Sequence, residues 1–237
     1  MSTASPRLAV LIDGENVPAK LAKQLFEEIA GLGVASVRRI YGDFSGGKMN
    51  GWAGVLADFG ILPQHFPTVS GKNSSDIAMA IDAMDLLHSG RFDGFCLVTA
   101  DGDFTRLAAR IREQGRDVFG FGQMKAPKGL VQACKRFIYL ETIGGDAAPS
   151  AATPAPAKPT AKLLKLLKAA VQQAAGENEG FVPLSQVGNK LYALQPDFDC
   201  RNHGHNLLSG LFKSLPNQFE VASQNKTVVV RVRSGQA

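Results

Sequence analysis

Cysteine, tryptophan and long apolar runs are all scarce in this chain of 237 residues. Its three cysteines (Cys96, Cys134 and Cys200) are odd in number and far apart, which argues against a disulfide framework and indicates free thiols in a reducing compartment. No apolar run approaches the roughly 20 residues that a membrane-spanning helix needs. Residues 1–7 also lack the apolar centre of a secretory signal, so we expect a cytoplasmic location and no membrane partner.

Residues 1–146 carry no net charge, because they hold 16 basic and 16 acidic side chains. The net charge of +5 therefore comes from the rest of the chain, where residues 160–237 hold 9 basic and 5 acidic side chains and Lys158 adds one more charge. A basic excess of this kind points to a polyanionic partner for the C-terminal part.

Short apolar runs alternate with amphipathic helical patterns through the first part of the chain. The predicted strands lie at residues 8–12, 34–41, 61–66, 95–100, 116–121 and 137–140. The predicted helices lie at residues 18–30, 52–59, 77–84, 104–114 and 129–134. Strands that alternate with helices predict an α/β fold, with a parallel sheet that is flanked by helices on both faces.

Residues 144–160 change in composition to Ala, Pro, Ser and Thr, which predicts an extended linker. Beyond it, the pattern predicts helices at residues 161–175, 185–194 and 202–215, followed by a β-hairpin of residues 219–222 and 227–232. Three helices and a hairpin are typical of a small winged helix-turn-helix domain. The predicted boundaries are therefore residues 1–143, 144–160 and 161–237.

Carboxylates directly follow two of the predicted buried strands. Asp13 ends the first strand, and Asp101 and Asp103 follow the strand at residues 95–100. Because strand ends in a doubly wound sheet face the same edge, we expect these side chains to converge, with Asp76 at the start of a helix that begins there. Taken singly, each acid also suits a turn or a helix cap. Together they would repel each other unless they bound cations, and oxygen-only ligands favour Mg²⁺ or Mn²⁺ over Zn²⁺.

Three ordered motifs carry a family resemblance: LIDGEN at residues 11–16, KNSSD at residues 72–76 and VTADGDF at residues 98–104. They resemble the NYN domain of LabA-like proteins, in the PIN-like nuclease superfamily, over residues 7 to about 141. The resemblance implies a metal-dependent ribonuclease. It also implies the following site residues: Asp13, Asp76, Asp101 and Asp103 as catalytic metal ligands, with Asn16 and Thr99 in support.

The chemistry of such a site agrees with these residue types. Hydrolysis of a phosphodiester needs an activated water, neutralisation of the phosphate and help for the leaving oxygen, which one or two Mg²⁺ ions supply. Lys72 and Asn73, one turn before Asp76, are candidate phosphate contacts, with a solvated loop lysine as the alternative. A phosphatase of the haloacid dehalogenase type is disfavoured because it needs Asp-x-Asp where this chain has Asp13-Gly14-Glu15.

A second resemblance covers about residues 161–233, on the motifs FVPLSQVG at residues 181–188, PDFD at residues 196–199 and LLSGL at residues 207–211. They resemble the LOTUS (OST-HTH) domain, which implies a winged helix that binds single-stranded or structured RNA, or a protein partner. The candidate phosphate contacts there are Arg201, Lys213, Lys226, Arg231 and Arg233, with ordinary surface charge as the alternative. Cys200, His203 and His205 offer only three zinc ligands, so we expect no metal there.

The sequence therefore predicts a cytoplasmic ribonuclease that depends on Mg²⁺ or Mn²⁺ and carries a tethered RNA-binding winged helix. The alternative is a catalytically silent adaptor that binds RNA or protein through both domains. The complete set of acids favours the enzyme. The RNA substrate, internal or terminal cleavage, and homodimerisation are left open at this stage.

Overall fold

The computed structural model describes residues 5–45, 47–67, 74–143, 160–176, 180–224 and 226–233. The chain divides into two compact units, residues 1–146 and 147–237. The linker predicted at residues 144–160 lies outside the described residues except for Thr160, and so do Lys72 and Asn73. Within the described part, no helix has the length and apolar character that crossing a membrane requires.

Six parallel strands form a single sheet in the first unit. They are β1 (Arg7–Asp13), β2 (Val34–Gly42), β3 (Leu62–His65), β4 (Gly94–Val98), β5 (Asp117–Gly122) and β6 (Arg136–Tyr139). Their order is β3-β2-β1-β4-β5-β6, so the direction of winding reverses between β1 and β4. Open α/β sheets bind ligands at the carboxyl ends of the strands beside such a reversal. The predicted α/β class and parallel sheet are confirmed.

Helices cover both faces of this sheet and enclose one apolar core on each face. They are α1 (Ala22–Ala30), α2 (Asn50–Ala53), α3 (Leu56–Phe59), α4 (Ser74–His88), α5 (Thr105–Glu113), α6 (Lys128–Ala133) and α7 (Leu140–Ile143). All five residues of β4 are buried, which explains why that strand is an uninterrupted apolar run in the sequence. The single helix predicted at residues 52–59 is instead α2 and α3, separated at Gly54, since glycine is a poor helix former.

The second unit consists of three helices and a small antiparallel sheet. Its elements are α8 (Ala161–Ala175), β7 (Val182–Pro183), α9 (Leu184–Leu194), α10 (Leu208–Lys213), β8 (Phe219–Gln224) and β9 (Thr227–Val232). Strand β9 pairs with both β7 and β8. Leu167, Val187, Leu191 and Phe212 are fully buried in its core. This arrangement of helices and hairpin agrees with the predicted winged helix.

One predicted helix of this unit was wrong. Residues 202–215 do not form a continuous helix, because a short 3-10 turn at Cys200–His203 ends at Gly204 and α10 begins only at Leu208. Gly204 takes the left-handed backbone conformation (φ 77°, ψ 18°), which terminates the turn. Leu207 is extended before α10, and its side chain is 67 % exposed instead of lying in the core.

Candidate active site

Asp13 is the last residue of β1 and is almost completely buried, with 3 % exposure. Its Oδ2 accepts hydrogen bonds from Asn16 Nδ2 at 2.7 Å and from Thr99 Oγ1 at 2.9 Å. Burial raises the pKa of Asp13, while these two hydrogen bonds act in the opposite direction because they favour the carboxylate. Neither bond involves Oδ1. Asn16 and Thr99 therefore fix the orientation of the Asp13 carboxylate at the edge of the sheet.

Thr99 also connects Asp13 to the second acidic motif. Its hydroxyl, which is fully buried, accepts a hydrogen bond from the Asp101 backbone N–H at 3.1 Å. Asp101 Oδ1 in turn accepts one from the Asp103 N–H at 2.9 Å and so caps the short turn Gly102–Phe104. Asp101 therefore has the structural role of a cap for this turn in addition to its place in the acidic cluster. One chain of hydrogen bonds joins the ends of β1 and β4.

Asp76 lies in the first turn of α4 and faces the same edge of the sheet. Burial raises its pKa to about 6, and the charges of Asp13, Asp101, Asp103 and Glu15 contribute in the same direction. The structure therefore brings all four predicted acids into one electrostatic environment, with Glu15 as a fifth carboxylate that sequence reasoning had not assigned to the site.

The donor set of this cluster fits a hard divalent cation. The charged groups that act most strongly on Asp76 are all carboxylates. Oxygen donors with uncompensated negative charge suit Mg²⁺ or Mn²⁺. Among the described residues, no three His, Cys, Asp or Glu side chains converge as metal ligands, and this includes Cys200, His203 and His205.

Asp82 makes a further, partly buried contact beside the site that the helical pattern does not reveal. Its Oδ2 accepts hydrogen bonds from Arg39 Nη1 and from Tyr41 Oη, both at 2.7 Å. Tyr41 is 1 % exposed and stands opposite Asp13 in the β1–β2 register. Burial and the bond to Asp82 raise the pKa of the Tyr41 hydroxyl, which therefore stays protonated as a donor. These bonds tie α4, which carries Asp76, to the strand next to Asp13.

The turn that follows β1 is supported from behind by the segment containing α2. Trp52 is 2 % exposed, and its indole Nε1 donates a hydrogen bond to the Val17 carbonyl at 2.8 Å. Gly14 packs so closely on Met49 and Ile40 that a side chain at this position would overlap both. A side chain at this position would displace Met49 and Ile40, so Gly14 allows the turn that carries Asn16 to pack closely against the sheet.

A histidine also lies at this edge, although none is close to the acidic motifs in sequence. His65 ends β3, and its Nδ1 accepts a hydrogen bond from the Phe44 N–H at 3.0 Å. The Asp43 N–H in the same loop donates to Glu15 Oε1 at 3.4 Å. The loops after β1 and β2 are thus joined to each other and to the end of β3.

The five cationic residues predicted to contact phosphate in the second unit do not form one patch. Arg201 Nη2 lies 2.7 Å from Asp199 Oδ2, and Arg231 Nη2 lies 2.7 Å from Glu220 Oε2. Lys213, Lys226 and Arg233 are exposed and form no ion pair with any other described residue. Lys226 lies in the β8–β9 turn, whereas Arg233 follows the opposite end of β9.

Two family models match this chain. The NYN domain matches residues 7–141, and the OST-HTH/LOTUS domain matches residues 155–230. An uncharacterized protein of Methanocaldococcus jannaschii is 27 % identical over 120 residues, which amount to 49 % of this chain and 47 % of that protein. The chain thus spans about half the length of this curated relative.

Two solved structures are also similar. A protein of unknown function from Vibrio parahaemolyticus has a TM-score of 0.50 at 19 % identity, over 59 % of this chain and 95 % of that one. At this level of identity the likeness concerns the fold alone. An uncharacterized protein from Nitrosomonas europaea is 30 % identical over 38 % of this chain and 90 % of that one, with a TM-score of 0.31.

Proposed function

Because this chain belongs to the NYN family of the PIN-like nuclease superfamily and carries an OST-HTH/LOTUS domain behind it, we propose that it is a metal-dependent ribonuclease. The observation that carries the proposal is the electrostatic repulsion among four carboxylates near the point where the winding of the sheet reverses. These are Asp13, Asp76, Asp101 and Asp103. Such a cluster is electrostatically unfavourable in the metal-free protein, and binding a divalent cation relieves the repulsion.

The side chains have distinct roles in this proposal. Asp13, Asp76, Asp101 and Asp103 would hold Mg²⁺ or Mn²⁺. Asn16 and Thr99 keep the Asp13 carboxylate in place through its Oδ2, so that it is oriented before any ligand arrives. When bound, the cation would neutralise phosphate charge and lower the pKa of a water molecule. Lys72 and Asn73 remain predicted phosphate contacts.

The second unit is proposed to bind RNA. Its exposed cations Lys213, Lys226 and Arg233 are better candidates for phosphate contacts than Arg201 and Arg231, because the latter two already pair with carboxylates. A phosphate would have to displace Asp199 or Glu220 before either arginine was available. This division narrows the candidate contacts from five to three.

One observation favours the second candidate function, a binding adaptor. A groove of about 370 Å³ lies between α9 and the start of α10, and it is lined by Leu184, Tyr192, Leu207 and Leu208 among others. Exposed apolar surface of this kind is typical of protein-binding sites. An adaptor function would make the C-terminal unit a docking module for protein.

The nuclease proposal is tested by incubating the purified protein with end-labelled single-stranded and hairpin RNAs in Mn²⁺, Mg²⁺ or EDTA. We expect cleavage with either cation and none in EDTA. Asp101→Asn and Asp13→Asn should each reduce the rate about 100-fold or more, and the double variant should lose little beyond that, because both changes disable one site. Asp117→Asn, an acid at the opposite edge of the same sheet, is the matched control. Cleavage in EDTA, or by Asp101→Asn at the wild-type rate in limiting Mg²⁺, would contradict the proposal.

A further inference from the structure

The RNA backbone and the proposed site carry charge of the same sign, so the site needs cations next to its carboxylates. Within the part of the chain that the structure describes, the charged groups that act most on Asp76 are carboxylates. Attraction of a phosphodiester must therefore come from neighbouring loops at the carboxyl edge of the sheet. The loop that joins β5 to α6, residues 123–127, lies directly against the acidic motif that follows β4.

Two glycines allow this loop to approach the acids. An added Cβ at Gly122, where β5 ends, would lie 2.5 Å from the carbonyl oxygen of Thr99. An added Cβ at Gly102, between Asp101 and Asp103, would lie 3.0 Å from Cγ of Pro127. Both ends of the loop therefore touch the segment that carries the catalytic acids, and a side chain at either glycine would push it away.

The loop is held in a defined conformation. The Met124 N–H donates to both carboxylate oxygens of Glu141, at 3.1 and 3.2 Å. The Ala126 N–H donates to the Gln123 carbonyl at 2.9 Å, and the Ala126 side chain is buried. These contacts fix the backbone from which Lys125 projects.

Lys125 and Lys128 are exposed on either side of Pro127, and neither forms an ion pair with any residue that the structure describes. The chain contains no acidic residue between Asp117 and Glu141, and Glu141 binds the loop backbone. Lys135 differs, because its Nζ lies 2.6 Å from Asp117 at the amino edge of the sheet. Lys125 and Lys128 thus flank Pro127, the residue of this loop that packs against the acidic turn at Gly102.

We propose that the β5–α6 loop and the first residue of α6 form a phosphate-binding surface of the active site, where Lys125 and Lys128 bind backbone phosphates of RNA next to the phosphate that is cleaved. The proposal rests on the nuclease function and adds the part of the catalytic domain that attracts the substrate. Lysine acts here as a point charge on the backbone, so the contact is independent of base sequence.

The kinetic test uses the full chain and a short single-stranded RNA. Lys125→Gln/Lys128→Gln should raise KM about tenfold and leave kcat within about twofold, because the chemical groups are untouched. The dependence of log KM on log salt should become shallower by about 0.7 for each phosphate that is no longer neutralised. Lys125→Arg/Lys128→Arg, which keeps both charges, should restore KM. Arg91→Gln/Lys135→Gln removes the same charge at the opposite edge of the sheet and is the matched control.

A second measurement does not depend on cleavage. The Asp101→Asn protein is acetylated at its lysines with and without the RNA in Mg²⁺, and the modified positions are read by mass spectrometry. RNA should protect Lys125 and Lys128 several-fold but not Lys135. If the wild type cleaves RNA while KM and protection are unaffected, the loop proposal is overturned and the nuclease function stands. If no RNA is cleaved with any cation, the nuclease function fails, and protection of the two lysines alone decides whether the loop binds RNA.

Discussion

Replacing Asp76 with asparagine is expected to stabilise the metal-free protein at neutral pH, although it removes a residue of the proposed active site. The pKa of Asp76 is raised from 3.8 to about 6, first by burial and then by the surrounding carboxylates. The folded protein therefore binds the Asp76 proton more tightly than the unfolded chain does. The stability that this proton contributes is complete below about pH 4 and is lost as the pH rises through about 6. Asparagine is neutral at every pH and avoids this loss.

The size of the effect follows from the pKa and the exposure of the side chain. For a fully buried group, raising the pKa by about two corresponds to a loss of roughly 3 kcal/mol of folding stability once the group is ionised. Because Asp76 is only half-buried, solvent screening reduces this value, and we expect about 1 kcal/mol at pH 7.5. For a unit of this size, that is a rise in Tm of roughly 3 °C. In Mg²⁺ the wild type should instead have the higher Tm, because a ligand of the folded state stabilises only the protein that binds it.

The assay is thermal unfolding of the wild type and Asp76→Asn, at about pH 4.5 and about pH 7.5, in EDTA and in excess Mg²⁺. Asp85→Asn, an exposed acid further along α4, is the control for a general change of charge on this helix. We expect a higher Tm for Asp76→Asn than for the wild type only at the higher pH and only in EDTA. Equal stabilisation of both proteins by Mg²⁺ would refute the idea that Asp76 belongs to a cation site.

Two further predictions concern the framework of the site and the second unit. Tyr41→Phe removes one of the two hydrogen bonds to Asp82 and should lower the free energy of unfolding by about 2 kcal/mol in denaturant titrations. The control is Ser89→Ala, which removes a hydroxyl that donates to the Leu86 carbonyl at the end of α4. An equal loss of stability in both variants would contradict the prediction. A fragment of residues 1–146 should keep kcat on saturating short RNA. It should bind longer RNA more weakly and with a shallower salt dependence than the full chain, since the basic excess lies beyond residue 160; equal salt slopes would favour a protein partner for the second unit.

The placement of Asp13 and Asp101 at one edge of the sheet was predictable because it follows from topology alone. Asp13 ends β1 and Asp101 follows β4, and parallel strands must present the residues at their carboxyl ends at one edge, whatever the details of packing. Asp76 follows from the helix that starts at that edge. No tertiary information is needed beyond the alternation of strands and helices, which the hydrophobic pattern records directly.

Pairs between elements that are distant in the chain were not predictable in this way. Arg39 and Tyr41 share one face of β2 with period two, but nothing in the sequence indicates that Asp82 meets them. The ion pair of Arg231 with Glu220 depends on the register of a hairpin, which the turn sequence alone leaves open by a residue or two. Such pairs decide which charges are available to a ligand, and for this reason we favour Lys213, Lys226 and Arg233 among the five predicted phosphate contacts.

The charge of the site also explains why this chain would need two means of holding RNA. The carboxylates that would bind the cation repel the substrate whenever the cation is absent, so affinity cannot come from the catalytic centre. In the first unit, the balance of 16 basic and 16 acidic residues leaves attraction to local features such as Lys125 and Lys128. The second unit carries the basic excess and is the part proposed to bind RNA. Cation binding by the carboxylates would then determine the rate of cleavage. Lys125 and Lys128 in the first unit and the basic residues of the second unit would determine the affinity for RNA. Mutations of the carboxylates should therefore lower kcat, and mutations of the basic residues should raise KM.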